Sequence, residues 1–439
     1  MADEWHRARL LPVTGMSSAR EREQRVTSAL LSVLSIVRPF SLDLLGQFGA
    51  SKAQRATVET FVEPTFKTRE GGHVRPDGLI RVSYGSQAPW VALVEVKTNK
   101  NELTAEQVNN YIDCARSNGF DHVITISNEI SPSEGIHPTQ GLNVRKSSKV
   151  SVSHLSWTRI VAIAARVQDR IGVDDPEQDW ILRELIRYLE HQSSGALEFD
   201  DMGEKWTEVR DGARSSTLRK SDDDVLEIAR RWDQLLTYAA LKLGIQINHE
   251  VEELLPQAHR TDAIARAKEF ARELAEEGTL SGTLRVDGSV GDISICADLR
   301  ARQIALGTVV LAPHDKRARG SVGWLMRQLK ESPPDLSIEA VAKGKASGVV
   351  ATLGELATDG EEFYSALPKD IYRMRITQRS DLGVSRRGSQ GKGFVDSVLG
   401  AIEDYYRDTH QHITAYPSKA PQVSKKSAAA DVELGSQED

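Results

Sequence analysis

RPDGLIRVSYGSQAPWVALVEVKTNK, residues 75–100, reads as two β-strands joined by a short turn at GSQAP. Asp77 opens the first strand behind a proline, and Glu95 and Lys97 close the second. Charges inside a sheet are costly unless each finds a partner. What these three residues are paired with therefore decides what the sheet is for.

Period-two alternation puts Glu95 and Lys97 on one face, opposite Val94 and Val96, and hairpin pairing brings Asp77 beside them. Two carboxylates converging on one point repel and raise a pKa unless a divalent cation or a lysine sits between them. Hard oxygen ligands of this kind suit Mg2+ or Mn2+, with the backbone carbonyl of Val96 as an extra ligand. Such an ion polarises a phosphoryl oxygen and lowers the pKa of a bound water, while a lysine orients that water or stabilises developing charge. Hydrolysis of a phosphodiester follows from that set. The competing reading is a cross-strand pair between Lys97 and a carboxylate on a solvated face.

Outward from the hairpin, apolar residues Val26, Leu30, Val33 and Val37 recur at helical spacing over 19–37. VETFVEPTF (58–66) is a strand weakened by its proline. TAEQVNNYIDCARSNG is a helix with Thr104 as N-cap and Gly119 past its end. DHVITIS and KVSVSHLSW are strands, and TRIVAIAARV begins a helix. Helix, three strands, helix, strand describes an α/β domain with a mixed sheet. A helix around 180–192 closes it.

Here the residues carry a resemblance. PDG at 76–78 and EVK at 95–97, with a turn between and a helix and strand after, resemble the PD-(D/E)XK nuclease superfamily. The resemblance spans roughly residues 19–165. It implies a restriction-endonuclease-like αβββαβ core and a metal-dependent nuclease site, with Asp77 and Glu95 as metal ligands and Lys97 as catalytic residue. Gln107 and Tyr111 resemble the Gln-x-x-x-Tyr element of phage exonucleases and helicase-nuclease domains. At i and i+4 they share a helix face. Gln107 also fits a capping box with Thr104, and Tyr111 also fits the apolar stripe of its helix. Glu23, on the inner face of the first helix, is a candidate further metal ligand as in relatives with an acidic first helix, or a plain helix-start charge. Glu63 is a weaker candidate for the same role, and His73 reads as a loop histidine.

The chain divides into an N-terminal extension (1–18), a nuclease-like domain (19–193), a polar linker (194–220), an α+β domain (221–410) and a disordered tail (411–439). In the second half, helices over 221–243 and 261–277 precede alternating strands from Thr279. A helix near 320–330, strands near 336–343 and 348–353, and a helix near 394–407 follow. RRGSQGKGF (386–394) suits anion binding through Arg386, Arg387 and Lys392, or is a flexible loop. HDKRARGSVGWLMRQLK (314–330) reads as an amphipathic helix before it reads as a phosphate contact.

With 56 basic and 63 acidic residues, the net charge of −7 excludes a protein that coats nucleic acid by bulk charge. Two cysteines are too few for a disulfide framework or a cysteine zinc site. No early run is long and apolar enough for a bilayer, and the expectation is a soluble cytoplasmic protein without membrane contact. The expected function is Mg2+- or Mn2+-dependent cleavage of nucleic acid, DNA above RNA, in genome defence against phage, restriction or repair. A homo-oligomer or a defence or repair protein is the expected partner. The alternative is a nuclease-fold module that binds nucleic acid or protein without turnover.

Overall fold

The computed structural model describes residues 11, 18–67, 72–99, 101, 103–131, 136–139, 141–144, 149–196, 199–260, 262–388 and 393–417. The chain is mixed α/β. Helix α1 (Ala19–Ile36) starts from a capping box in which Ser18 accepts from the Glu21 amide and Glu21 reaches back to Ser18. Helix α2 (Arg38–Gly46) turns away at Val37, with Pro39 in its first turn. Strands β1 (Thr57–Val62), β2 (Gly78–Ser83) and β3 (Trp90–Val96) follow, then α3 (Ala105–Asn118), β4 (His122–Ser127) and β5 (Ser151–Ser156). These strands form one sheet in sequence order, antiparallel from β1 through β3 and parallel from β3 through β5.

Both faces of this sheet are covered, which is why its middle strands are nearly continuous apolar runs. Val94, Val96, Ile124 and Ile126 pack with α1, α2 and helices α4 (Trp157–Arg166) and α5 (Pro176–Leu189). Leu93, Val91 and Val123 pack against Val108, Tyr111, Ile112 and Ala115 of α3. Glu95 lies two residues beyond Leu93 and shares its face, so it points to the α3 side. Gly78 favours the close approach of α1, because a Cβ there would lie 2.6 Å from Leu31 Cδ1 of α1 and the leucine would have to shift.

The polar connector expected over 194–220 is instead partly core. Helix α6 (Trp206–Ser215) buries Trp206, Val209 and Ala213, and Met202 before it is fully buried. Its polar residues are the solvent face of a helix whose apolar face sits at i, i+3 and i+7. Helices α7 (Asp223–Ile247) and α8 (Ala263–Glu276) come next. Strands β6 (Val251–Glu253), β7 (Thr279–Val286), β8 (Ile293–Asp298), β9 (Gln303–Leu311), β10 (Ser337–Val341), β11 (Val349–Thr352) and β12 (Arg373–Asp381) form an antiparallel sheet ordered β11-β10-β12-β9-β8-β7-β6. One face of this sheet packs on α7, α9 (Ala318–Gln328) and α10 (Phe394–Asp408). Of the core residues expected on helix α9, Trp324, Leu325 and Leu329, the two leucines are fully buried, Leu329 just past the helix end, and Trp324 is half-buried against the same core, with Val322 buried beside them.

Most of the 1–18 extension lies outside the described residues, as do Lys392 and residues 418–439. Of the tail expected from 411, residues 411–417 are described and Ile413 is buried against the second core. Among the described residues, no single helix is long and apolar enough to cross a membrane.

Candidate nuclease-like site

The site forms where β2 begins and β3 ends. Val94 pairs with Gly78, so the chain before Gly78 runs alongside the end of β3, and the Val96 amide donates to Asp77 Oδ2 at 2.8 Å. Glu95 is 2% exposed. Its Oε1 accepts from Lys97 Nζ and from Gln107 Nε2, each at 2.5 Å, while Oε2 is buried without a hydrogen-bond partner. A buried carboxylate oxygen without a donor is costly.

Burial first, and then the charge of Glu95, push the Asp77 carboxyl up to about 7, against the opposing pull of the Val96 amide and Lys97. Burial works against the Lys97 ammonium, but Glu95 outweighs it and holds the lysine above its usual range. Burial, then Glu95, also keep the Tyr111 hydroxyl protonated.

Gln107 resolves one ambiguity. The Thr104 hydroxyl accepts from its amide at 3.3 Å, so the N-cap is real, yet its side chain crosses to Glu95 and lies 3.3 Å from the Tyr111 hydroxyl. Tyr111 is at once a core residue and a neighbour of the site. Glu23 lies near Lys97, but its Oε1 accepts from the Thr98 amide (3.3 Å) and from Asn101 Nδ2 (2.7 Å). It ties α1 to the loop leaving the site. Glu63 pairs with Arg75 and Gln24, and His73 is exposed. Among the described residues, no group of three or more His, Cys, Asp and Glu side chains is gathered for a metal. The carboxylates brought together are two, Asp77 and Glu95.

Arg386 and Arg387 lie far from this constellation in sequence and are already paired. Arg386 forks onto Asp201 at 3.0–3.1 Å, and Arg387 reaches the same carboxylate at 2.8 Å. Nothing in the local sequence reveals that pairing, which spans 185 residues.

The chain matches no protein-family model and no curated protein. Its functional reading therefore stands on geometry.

Sequence reasoning missed two supports. The Trp157 indole donates to the Lys97 carbonyl at 3.0 Å, pinning the strand end from below. Across the parallel strands, Glu95 pairs with Thr125 and Thr125 with His154. The Thr125 hydroxyl bonds His137 Nε2 (2.7 Å) and His154 Nδ1 (2.9 Å), and His154 Nε2 meets the Glu129 carbonyl at 2.9 Å. Since His137 Nδ1 accepts from the Thr139 amide, the neutral rings pass one hydrogen-bond direction along the chain. Burial pushes His137 down to about 4 and His154 to about 3. Alternation of 125 with its neighbours was the available signal, but the loop that delivers His137 was not.

Proposed function

We propose that this protein is a Mg2+- or Mn2+-dependent nuclease, with DNA as its substrate class and with genome defence, restriction or repair as its setting. The observation that carries the reading is the pair Asp77 and Glu95, whose buried, partnerless Glu95 Oε2 lies in a site that already holds a lysine. The element order α1, β1, β2, β3, α3, β4 supports a restriction-endonuclease-like core, and Gln107 beside Tyr111 supports the Gln-x-x-x-Tyr resemblance.

The residues fit a hard divalent cation. Asp77 and Glu95 would hold it as oxygen ligands. The Val96 carbonyl would join them, since an extended residue sends its amide and carbonyl to the same edge and the amide already meets Asp77. Such an ion would supply Lewis-acid polarisation of the phosphoryl oxygen and a more acidic bound water. Lys97, kept protonated by Glu95, supplies positive charge where the attacked phosphate gains negative charge. Gln107 and Lys97 both hold Glu95 Oε1, so Oε2 would be the oxygen left for the ion. Asp77, Lys97 and Glu95 sit on rigid strand ends, which limits the cost of positioning.

The test is a panel of linear, nicked, circular and single-stranded DNA, with RNA, in Mg2+ or Mn2+. Cleavage that is lost in Asp77→Asn and Glu95→Gln supports the proposal. The pairing of Lys97 with Glu95 favours a second reading, a nuclease-fold module that binds without turnover. Binding without cleavage on every substrate would select it.

A further inference from the structure

A polar cleft of about 600 Å3 opens between the two halves of the chain. One wall is the segment leaving the candidate site, with Asn99, Asn101 and Asn128. Asn99 is two residues beyond Lys97, and Asn101 holds Glu23. Asn128 binds the carbonyls of Asn99 and Gly195 at 2.8 and 2.9 Å, fixing this wall. The opposite wall carries four arginines, Arg230 and Arg231 on α7 and the pair Arg386 and Arg387.

The arginines fall into two states. Arg386 and Arg387 share the Asp201 carboxylate: Arg386 grips both oxygens with its fork, while Arg387 reaches one of them at 2.8 Å and keeps its Nε 4.0 Å from Asp200. Arg230 and Arg231 take no ion pair or hydrogen bond among the described residues, and Arg230 is exposed. A guanidinium fork fits phosphate as it fits carboxylate, so Asp201 occupies the place a phosphate would take. Acidic residues such as Glu204 and Glu227 also line the cleft. The resting charge is therefore near balance, and entry of a phosphate is an exchange with Asp201 rather than a simple addition. A cavity within the ~300–1,000 Å3 range of small-ligand pockets takes about one or two nucleotides and not a duplex.

We infer that this cleft binds the phosphate backbone of a single nucleic-acid strand and leads it to Lys97, an inference that rests on the nuclease reading. The substrate class is then a single strand or a frayed end, held by Arg230 and Arg231 and admitted when phosphate replaces Asp201 on Arg386 and Arg387.

The test uses the full chain in EDTA with a labelled short oligothymidylate and a duplex of equal length, followed by anisotropy across a salt series. The wild type binds the single strand more tightly than the duplex. Arg230→Ala with Arg231→Ala weakens it at least tenfold and lowers the log–log salt slope by about 1.4, two contacts at about 0.7 each for a single strand. Arg230→Lys with Arg231→Lys keeps most of the slope, and Asp201→Asn tightens binding severalfold. Wild-type affinity and slope in the double alanine variant, or a duplex bound as tightly as the single strand, overturns the inference. Cleavage that needs Asp77 but ignores both arginines sinks the cleft alone. Arginine-dependent strand binding without any cleavage sinks the nuclease reading and leaves the cleft.

Discussion

Gln107 Nε2 donates to Glu95 Oε1 at 2.5 Å, joining helix α3 to the end of strand β3 at a fully covered carboxylate. Lys97 reaches the same oxygen, so Oε1 has two donors and Oε2 has none. The two oxygens of one side chain are thereby made unequal: Oε1 is anchored by two donors and Oε2 by neither of them.

Removing the anchor follows directly. Gln107→Ala deletes a hydrogen bond to a charged group, worth about 1.5–3 kcal/mol. Glu95 is then held by Lys97 alone, and on the nuclease reading proposed above cleavage is expected to fall about tenfold or more while Mg2+ affinity, read by calorimetry, weakens with it. Gln107→Glu places a second carboxylate, besides Asp77, against Glu95 and should be worse. Wild-type cleavage by Gln107→Ala would show that Lys97 alone positions Glu95.

Asp77 makes the pH dependence testable with its sign. Its carboxyl sits at about 7 in the fold against 3.8 for the free residue, so the native state keeps a proton that the unfolded chain releases. Stability without metal should therefore fall as pH rises from about 4 to about 7, by at most about 4 kcal/mol. Asp77→Asn removes that loss. In EDTA at pH 8 the variant should melt above the wild type, with the gap closing below pH 4, and Mg2+ should raise only the wild-type midpoint. Equal melting of the two proteins at pH 8 would show that burial does not penalise this carboxylate.

The hairpin and α3 were legible in the sequence because their signals are local: the short apolar runs GLIRVS and WVALVEV with a turn between them, Thr104 and Gly119 at the helix ends. Strand β12 escaped. In RMRITQRSD the inward face carries only two apolar residues, Met374 and Ile376, followed by Gln378, while Arg373, Arg375 and Arg379 face outward, so a central strand resembles a charged loop. Glu23 was found on the correct face of its helix, but its partners Thr98 and Asn101 lie 75 and 78 residues away. Contacts of that span are set by the tertiary fold and leave no periodic trace.

His122 gives an acid-side prediction independent of the site. Its ring lies against Phe48 and Trp90, bonded to the Ser153 hydroxyl at 2.9 Å, and burial pushes it down to about 4 from 6.5. The unfolded chain takes up this proton first, so the stability is present above about 6.5 and drains as pH falls toward 4. Between pH 6.5 and 5 this one ring should cost about 2 kcal/mol. His122→Phe keeps the ring packing and should flatten the urea-midpoint profile by that share; an unchanged profile would place the acid sensitivity elsewhere.

Trp206 tests where the second folding unit begins. It is fully buried, its ring 4.3 Å centroid to centroid from Phe394, and its indole donates to the Val384 carbonyl at 3.1 Å. Phe394 also meets Trp232 of α7, so Trp206 closes one side of the cluster that α7 and α10 share. Its loss opens a cavity in that cluster and removes one of two donors to the Val384 carbonyl, which keeps the Arg210 guanidinium at 2.9 Å. Trp206→Ala should cost about 3–5 kcal/mol, read as a drop in urea midpoint. A fragment over 199–417 should fold, and one starting at 221 should expose Phe394 and aggregate. If Trp206→Ala costs less than about 1 kcal/mol and the shorter fragment stays soluble and cooperative, residues 199–215 are a passive connector after all, as their polar composition alone suggests.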